Sequence, residues 1–213
     1  MKLHGSRPRP LIKVCGMTRM EDVKLCTALG VDMVGFIFHP PSPRCAAPAF
    51  VRSVPEGFPT KVGVFVRQDA QEILDIMDEC RLDMAQLHGD HDPKTCEAVG
   101  RDRVIKVLWP QRHDSAATLQ DEVDRFSPHC KHLLFDAGKK GGGHGESFDF
   151  TRLQTLEIIK PWFLAGNIGS HNVQGALESG ACGLDLNSSV ESEPGIKDSK
   201  KIRDVFSRLR EES

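Results

Sequence analysis

Short apolar runs alternate with longer polar segments along most of the chain. Each run is rich in Val, Ile, Leu or Phe, as strands buried on both faces are. The ends of successive runs lie 21 to 30 residues apart, which leaves room for a loop, a helix and a second loop. The repeating unit is therefore a strand followed by a helix. The eight runs cover residues 11–15, 33–38, 62–66, 84–87, 104–108, 132–135, 162–165 and 183–186.

Helical periodicity occurs in the segments between these runs. In residues 69–80, apolar side chains such as Ile73 and Met77 recur at the spacing of one helix face. Similar segments cover residues 19–29, 116–126, 170–179 and 198–209, and shorter helices are predicted at 93–99 and 150–158. The predicted helix ends are Asp69 and Ser170 as N-caps and Gly30 and Gly180 as C-terminal glycines.

Alternating strands and helices predict an α/β fold with a parallel sheet. Eight repeats without a second composition regime favour a closed (β/α)8 TIM barrel over an open sheet with an added domain. At 213 residues the barrel is compact and leaves little room for insertions. We expect one barrel domain over residues 11–213, preceded by a flexible tail of residues 1–10.

Composition excludes several classes of protein. The formal net charge of −2, without strong clustering, disfavours a nucleic-acid partner. No apolar stretch approaches the ~20 residues of a membrane span, and no secretory h-region follows the basic N-terminus, so we expect a cytoplasmic protein. Seven cysteines without a C-x-x-C pair fit neither a disulfide framework nor a usual zinc site, and most are expected to be packed thiols.

Polar residues follow the predicted strands where a TIM barrel carries its active site. The loops after runs seven and eight contain Gly166, Asn167, Asn187, Ser188 and Ser189. Barrels commonly bind a phosphate through backbone N–H groups at these two loops. A phosphorylated substrate is therefore favoured over the simpler interpretation that these are only tight turns.

Cys15 and Asp136 are the candidate acid–base residues at the strand ends. A thiol at the barrel mouth can act as base or nucleophile if its neighbours lower its pKa, although a packed cysteine is an equally good interpretation from position alone. The Asp136 carboxyl is expected to face the mouth, where burial favours acid catalysis; the alternative is a cap for the next loop. Arg44 is either a ligand for a substrate carboxylate or an exposed surface arginine.

Two further loops have weaker implications. Adjacent loop residues rarely converge on one ion, so a metal site is disfavoured in the loop that contains His88, Asp90, His91 and Asp92. The glycine-rich residues 141–145 predict a mobile or closely packed loop. The chain has no G-x-x-x-x-G-K-[ST] pattern, so nucleoside triphosphate binding has no support.

Taken in order, these motifs resemble the phosphoribosylanthranilate isomerase family over about residues 11 to 210. The matching segments span nearly every strand end. They are Lys13-Val14-Cys15-Gly16-Met17-Thr18-Arg19, Gly35-Phe36-Ile37-Phe38 with Ser42-Pro43-Arg44, Val62-Gly63-Val64-Phe65-Val66, Gln86-Leu87-His88-Gly89, Asp136, Gly143-His144-Gly145 with Phe148-Asp149-Phe150, Leu164-Ala165-Gly166, the run of residues 184–192, and Pro194-Gly195-Ile196-Lys197-Asp198.

The resemblance implies a cofactor-free Amadori rearrangement of a phosphoribosyl substrate in tryptophan biosynthesis. It implies that Asp136 is the general acid that opens the furanose ring and that Cys15 is the general base at C2'. Arg44 would bind the anthranilate carboxylate, and His88 and Asp185 would line the mouth. By the same resemblance, the amides near Gly166, Asn167, Ser188 and Ser189 would bind the phosphate, and Asn187 would be a further substrate-binding residue.

Three residues depart from the family pattern, and two other functions are less well supported by the strand ends. Asn167 replaces a usual glycine, His144 a small hydroxyl residue and Ser189 a glycine or alanine; Asn167 is expected to keep the turn because Asn tolerates positive φ. The histidine-pathway isomerase typically uses two aspartates, whereas here the first strand ends in Cys15 and the fifth in Trp109. A non-catalytic phosphosugar-binding or scaffolding relative has no need of both Cys15 and Asp136.

The assembly state is not encoded in these motifs. We expect a monomer, with association with other tryptophan-pathway enzymes left open.

Overall fold

Eight parallel strands close into a barrel in the computed structural model, which describes residues 9–57, 59–136 and 151–210. Each strand pairs with the next, and β8 pairs with β1 to complete the ring. The predicted (β/α)8 barrel is confirmed. The strands are β1 Leu11–Val14, β2 Met33–Ile37, β3 Thr60–Phe65, β4 Met84–Leu87, β5 Val104–Leu108, β6 His132–Asp136, β7 Trp162–Ala165 and β8 Gly183–Leu186.

The helices lie between consecutive strands and after the last one, as the repeating unit requires. They are α1 Met20–Leu29, α2 Pro48–Ser53, α3 Ala70–Cys80, α4 Pro93–Val99, α5 Ala116–Phe126, α6 Thr151–Gln154, α7 Val173–Glu178 and α8 Ser199–Arg210. The predicted shortness of the fourth and sixth helices is confirmed. A short hairpin, β9 Glu191–Glu193 and β10 Ile196–Lys197, was not predicted and lies between β8 and α8.

Local sequence determines several helix ends. Asp69 forms a capping box with Glu72 at the start of α3, and Gly30 closes α1 in the left-handed conformation. Ser170 was predicted to cap the seventh helix, and that prediction is wrong because α7 begins three residues later, after Asn172. The Asn172 side chain instead accepts a hydrogen bond from the Gly169 N–H in the preceding loop.

Two apolar layers hold the barrel together. Residues that point outward from the strands, such as Phe36 and Phe135, pack with the helices in one large core. Residues that point inward, such as Val62, Ile105 and Phe163, fill the barrel itself. The inward layer is interrupted at β1 and β8, where buried charged side chains replace apolar ones.

Arg9 donates to the Asp32 carboxylate at 2.6 and 2.9 Å, while residues 1–8 of the predicted tail lie outside the described residues. Among the described helices, none is long and apolar enough to cross a bilayer.

Candidate active site

Cys15 lies at the carboxyl end of β1, directly against β2. Its backbone N–H donates to the Leu186 carbonyl at 2.8 Å, which continues the β1–β8 ladder by one residue. Its side chain is buried against Gly35, where an added Cβ would lie 2.7 Å from the Cys15 Sγ. The thiol therefore occupies space that only a glycine on the neighbouring strand leaves open.

A buried ion pair lies just below this thiol. Lys13 and Asp185 are register partners on β1 and β8, and the Lys13 Nζ donates to both carboxylate oxygens at 2.9 Å. Burial alone would lower the pKa of Lys13, but the negative charge of the Asp185 carboxylate and its hydrogen bonds raise it above its ordinary value. Lys13 is therefore a charged ammonium in the barrel interior.

Opposing influences act on the Cys15 thiol. Burial raises its pKa, while the positive charges of Lys13 and Lys197 act in the other direction. The net direction is upward. Cys15 is therefore a protonated thiol for most of the time at neutral pH in the free protein, next to a cation that favours its thiolate.

Asp136 and His88 meet on the opposite side of the mouth. The Asp136 carboxyl ends β6, and its Oδ2 lies 3.7 Å from the His88 Nε2. The His88 Nδ1 lies 3.4 Å from the Gln86 Nε2, and the Trp109 ring packs edge-on against the imidazole with centroids 5.4 Å apart. Burial lowers the pKa of His88 to about 4, so the imidazole is neutral at pH 7.

The loops after β7 and β8 are joined to each other. Gly166 and Asn167 have φ of 114° and 52°, so Asn167 adopts the positive φ that the sequence led us to expect. The Ser189 hydroxyl donates to the Ile168 carbonyl and links the two loops. Within the described residues, no acceptor takes the backbone N–H of Asn167, Ser188 or Ser189. These three N–H groups are available to an anion.

Arg44 crosses the mouth next to Cys15. Its side chain is 21% exposed and is bound by the buried Glu191 carboxylate of the β9–β10 hairpin. Gly16, with φ of 77°, makes room for it, because a Cβ there would lie 2.9 Å from the Arg44 Cδ and from the Asn187 Oδ1. The Arg44 side chain is therefore fixed by its ion pair with Glu191. This contact excludes the alternative interpretation of an exposed surface arginine.

A family model described as N-(5'phosphoribosyl)anthranilate (PRA) isomerase matches residues 12–208. The chain belongs to the phosphoribosylanthranilate isomerase family. It is accordingly an enzyme of the isomerase class, in agreement with the resemblance seen in its motifs.

Individual members of the phosphoribosylanthranilate isomerase family are similar over nearly the whole chain. The N-(5'-phosphoribosyl)anthranilate isomerase of Maridesulfovibrio salexigens is 51% identical over 200 residues, which is 93% of this chain and 98% of that protein. The solved structure of the isomerase from Thermus thermophilus is 36% identical, covers 94% of this chain and 98% of its own, and has a TM-score of 0.83. A further phosphoribosylanthranilate isomerase, solved in complex with reduced 1-(o-carboxyphenylamino)-1-deoxyribulose 5-phosphate, is 26% identical, covers 95% of this chain and 99% of its own, and has a TM-score of 0.78.

Not every polar residue at the mouth belongs to one cluster. In the loop after β4 of this isomerase, Asp90 accepts from Arg112, His91 contacts the Gln68 carbonyl and Asp92 caps α4. These side chains have separate partners. The glycine-rich loop of residues 141–145 and its His144 lie outside the described residues, so their predicted roles stay predictions.

Sequence reasoning missed three charged residues of the site. Lys13, Glu191 and Lys197 all lie within motifs that resemble the isomerase family, but no role was assigned to them. A lysine two positions before Cys15, in an otherwise apolar strand, was the available signal for Lys13, because a buried cation requires a buried anion. Nothing comparable identifies Glu191 and Lys197, which meet only through the fold of the hairpin.

Proposed function

We propose that the chain converts N-(5'-phosphoribosyl)anthranilate to 1-(o-carboxyphenylamino)-1-deoxyribulose 5-phosphate, with Asp136 as general acid and Cys15 as general base. The observation that carries the proposal is the joint placement of the thiol, the carboxyl and the free loop N–H groups. All of them follow strand ends at one face of the barrel, which is the catalytic face of this fold.

Substrate binding uses the two sides of the mouth. The phosphate accepts hydrogen bonds from the N–H groups of Asn167, Ser188 and Ser189. Ser188 and Ser189 begin a short 3₁₀ turn, whose N-terminal end favours anions. Gly166 lets the backbone approach the phosphate closely. Arg44 binds the anthranilate carboxylate through its planar guanidinium.

Ring opening comes first. Asp136 donates a proton to the furanose ring oxygen, the bond from that oxygen to C1' breaks, and the nitrogen lone pair forms the C1' iminium. The neutral His88 beside Asp136 adds no positive charge to this side of the mouth. An acid in this position typically contributes ~10²–10⁴-fold to the rate.

Proton removal follows. The Cys15 thiol releases its own proton to solvent, and the resulting thiolate takes the proton from C2'. The electrons of that C–H bond form the C1'–C2' double bond while the iminium nitrogen becomes neutral. The enolamine then tautomerises to the ketone by adding a proton at C1' and losing the one on O2'. The iminium favours the thiolate because an opposite charge nearby stabilises the charged form, as the Lys13 ammonium does from the other side.

A fluorescence assay tests the substrate. Phosphoribosylanthranilate is generated from anthranilate and phosphoribosyl pyrophosphate, and its consumption by the purified protein is followed. We expect consumption of this substrate and none of the ribosyl phosphate of the histidine-pathway isomerase, since the residue that follows β5 is Trp109 and not a second aspartate. A folded protein that leaves phosphoribosylanthranilate unchanged would refute the proposed reaction.

We further propose that the protein works as a monomer. A solved relative from Thermotoga maritima is described as dimeric, with monomers generated from it. Light scattering of the purified protein measures the mass directly: a value near 23.6 kDa supports the monomer, and twice that value excludes it.

A further inference from the structure

A cluster of three charged side chains, Arg44, Glu191 and Lys197, lies beside the proposed base. The Glu191 carboxylate accepts from the Arg44 Nε at 3.0 Å and from one Arg44 terminal nitrogen at 2.7 Å. It also accepts from the Lys197 Nζ at 2.7 Å and from the Gly195 N–H at 3.1 Å. Four donors therefore fix one buried carboxylate in place.

This arrangement determines which edge of the Arg44 guanidinium faces a ligand. Glu191 occupies the edge formed by Nε and Nη2. Within the described part of the chain, the Nη1 nitrogen of Arg44 has no hydrogen-bond acceptor. A guanidinium presents its donors in a rigid plane, so fixing one edge also fixes the direction in which the other edge can donate.

The charges of the cluster do not cancel. Arg44 and the protonated Lys197 surround a single carboxylate, and Lys197 and Glu191 are almost completely buried, with side chains 0% and 4% exposed. Burial lowers the pKa of Lys197, while the Glu191 carboxylate acts in the other direction. An excess positive charge in a water-poor site attracts one further anion. A single carboxylate on the substrate supplies that charge.

The cluster is also connected to the residues that surround Cys15. Lys197 donates to the Asn187 Oδ1 at 3.1 Å, and that oxygen and the Arg44 stem both lie against Gly16, the residue after Cys15. The positive charge of Lys197 acts on the Cys15 thiol. A displacement of the cluster would therefore also displace the side chains that contact Gly16, next to the proposed base Cys15.

We propose that Glu191, itself held by Lys197, is the positioning residue that aims Arg44 at the substrate carboxylate and thereby sets the preference for a carboxyphenyl over a plain phenyl substrate. This inference rests on the proposed function, because it takes the anthranilate ring to lie at Arg44. Glu191 acts through Arg44 and does not touch the reacting atoms.

The experiment compares two ligands by calorimetry. One is reduced 1-(o-carboxyphenylamino)-1-deoxyribulose 5-phosphate, and the other is the same compound with phenyl in place of carboxyphenyl. Since charge-assisted hydrogen bonds are the strong ones, we expect wild type to prefer the first by about tenfold or more. Glu191→Gln should reduce that preference to about threefold or less and leave the affinity for the phenyl ligand unchanged.

Matched variants separate positioning from general damage. Glu193→Gln removes an exposed carboxylate from the same strand and should keep the wild-type preference. With phosphoribosylanthranilate as substrate, Glu191→Gln should raise KM more than it lowers kcat, since a carboxylate contact is made equally in the ground and transition states. If Glu191→Gln does not fold, Glu191→Asp keeps the charge, shortens the side chain and should also reduce the preference.

The possible failures are distinct. If Arg44→Met loses the carboxylate preference while both Glu191→Gln and Glu191→Asp keep it, the positioning role is wrong and the binding role of Arg44 stands. If wild type shows no preference, the ring does not lie at Arg44 and the inference falls. Absence of turnover by wild type refutes the proposed function itself, independently of the ligand comparison.

Discussion

The glycine at position 35 of β2 should be essential for activity because its missing side chain makes room for the proposed base. A Cβ at this position would lie 2.7 Å from the Cys15 Sγ, 3.1 Å from the Cys15 Cα and 3.2 Å from the Lys13 Nζ. Unstrained contacts between such atoms are about 3.5–4.0 Å. In Gly35→Ala, the sulfur must therefore move by about 1 Å.

The size of the effect follows from this displacement. A misplacement of about 1 Å in a reacting group can cost about 10²-fold in rate, so kcat of Gly35→Ala should fall by that factor. Overpacking of a filled interior costs about 1–3 kcal/mol, so the variant should unfold at a lower urea concentration yet remain folded in buffer. The measurements are steady-state kinetics with phosphoribosylanthranilate and urea unfolding.

Two glycine variants act as controls. Gly63→Ala on the neighbouring strand β3 would place a Cβ 2.6 Å from the Leu82 Cδ1 and 2.8 Å from the Phe65 ring, on the side that faces the helices. It should lose similar stability with kcat nearly unchanged. Gly175→Ala in α7 meets no atom within 4 Å and should gain about 0.4–1 kcal/mol. Equal kcat values for Gly35→Ala and Gly63→Ala would refute the reasoning.

Three further predictions concern charge and backbone. Lys13→Met leaves the Asp185 carboxylate buried without its partner, so we expect the free energy of unfolding, measured with urea, to fall by about 3–5 kcal/mol. Lys13→Met combined with Asp185→Asn should recover most of this loss. A double variant that recovers none of it would contradict the ion pair. The pKa of His88 falls from 6.5 to about 4 on folding, so the folded protein binds fewer protons at this side chain than the unfolded protein does. The free energy of unfolding should therefore fall as the pH drops from 6.5 to 4. A His88→Asn variant that loses as much stability as wild type over this pH range would contradict the shift. Asn167, at φ of 52°, should tolerate Asn167→Gly with unchanged inorganic phosphate affinity, whereas the β-branched Asn167→Val should weaken it; calorimetry showing equal affinity for both variants would exclude the turn from the phosphate site.

The barrel could be predicted from the sequence because its signals are local. Apolar runs at regular spacing identify the strands, and residues such as Asp69 and Gly30 identify helix ends through contacts within a few positions. Cys15 and Asp136 follow from the same pattern, because a strand end in this fold is also the edge of the catalytic face. The start of α7 could not be predicted, since Ser170 and Asn172 are both good caps and the fold of the preceding loop decides between them.

The charged interior of the site could not be predicted, because its pairs are distant in sequence. Lys13 and Asp185 are 172 positions apart and meet only when β8 closes the barrel against β1. Arg44 and Glu191 are 147 positions apart and meet through a hairpin that has no strong pattern of its own. Each partner taken alone is a charged residue in or near a strand, and only the folded barrel shows which charge neutralises which.

The division of roles between Cys15 and Asp136 is tested most directly by the kinetics of Cys15→Ala and Asp136→Asn beside wild type, with phosphoribosylanthranilate fluorescence as the signal. We expect each variant to remain folded and to lose at least about 10²-fold in kcat, because neither ring opening nor proton removal at C2' can proceed without its proton donor or acceptor. A Cys15→Ala or Asp136→Asn enzyme within a few-fold of the wild-type rate would contradict the assignment of that residue.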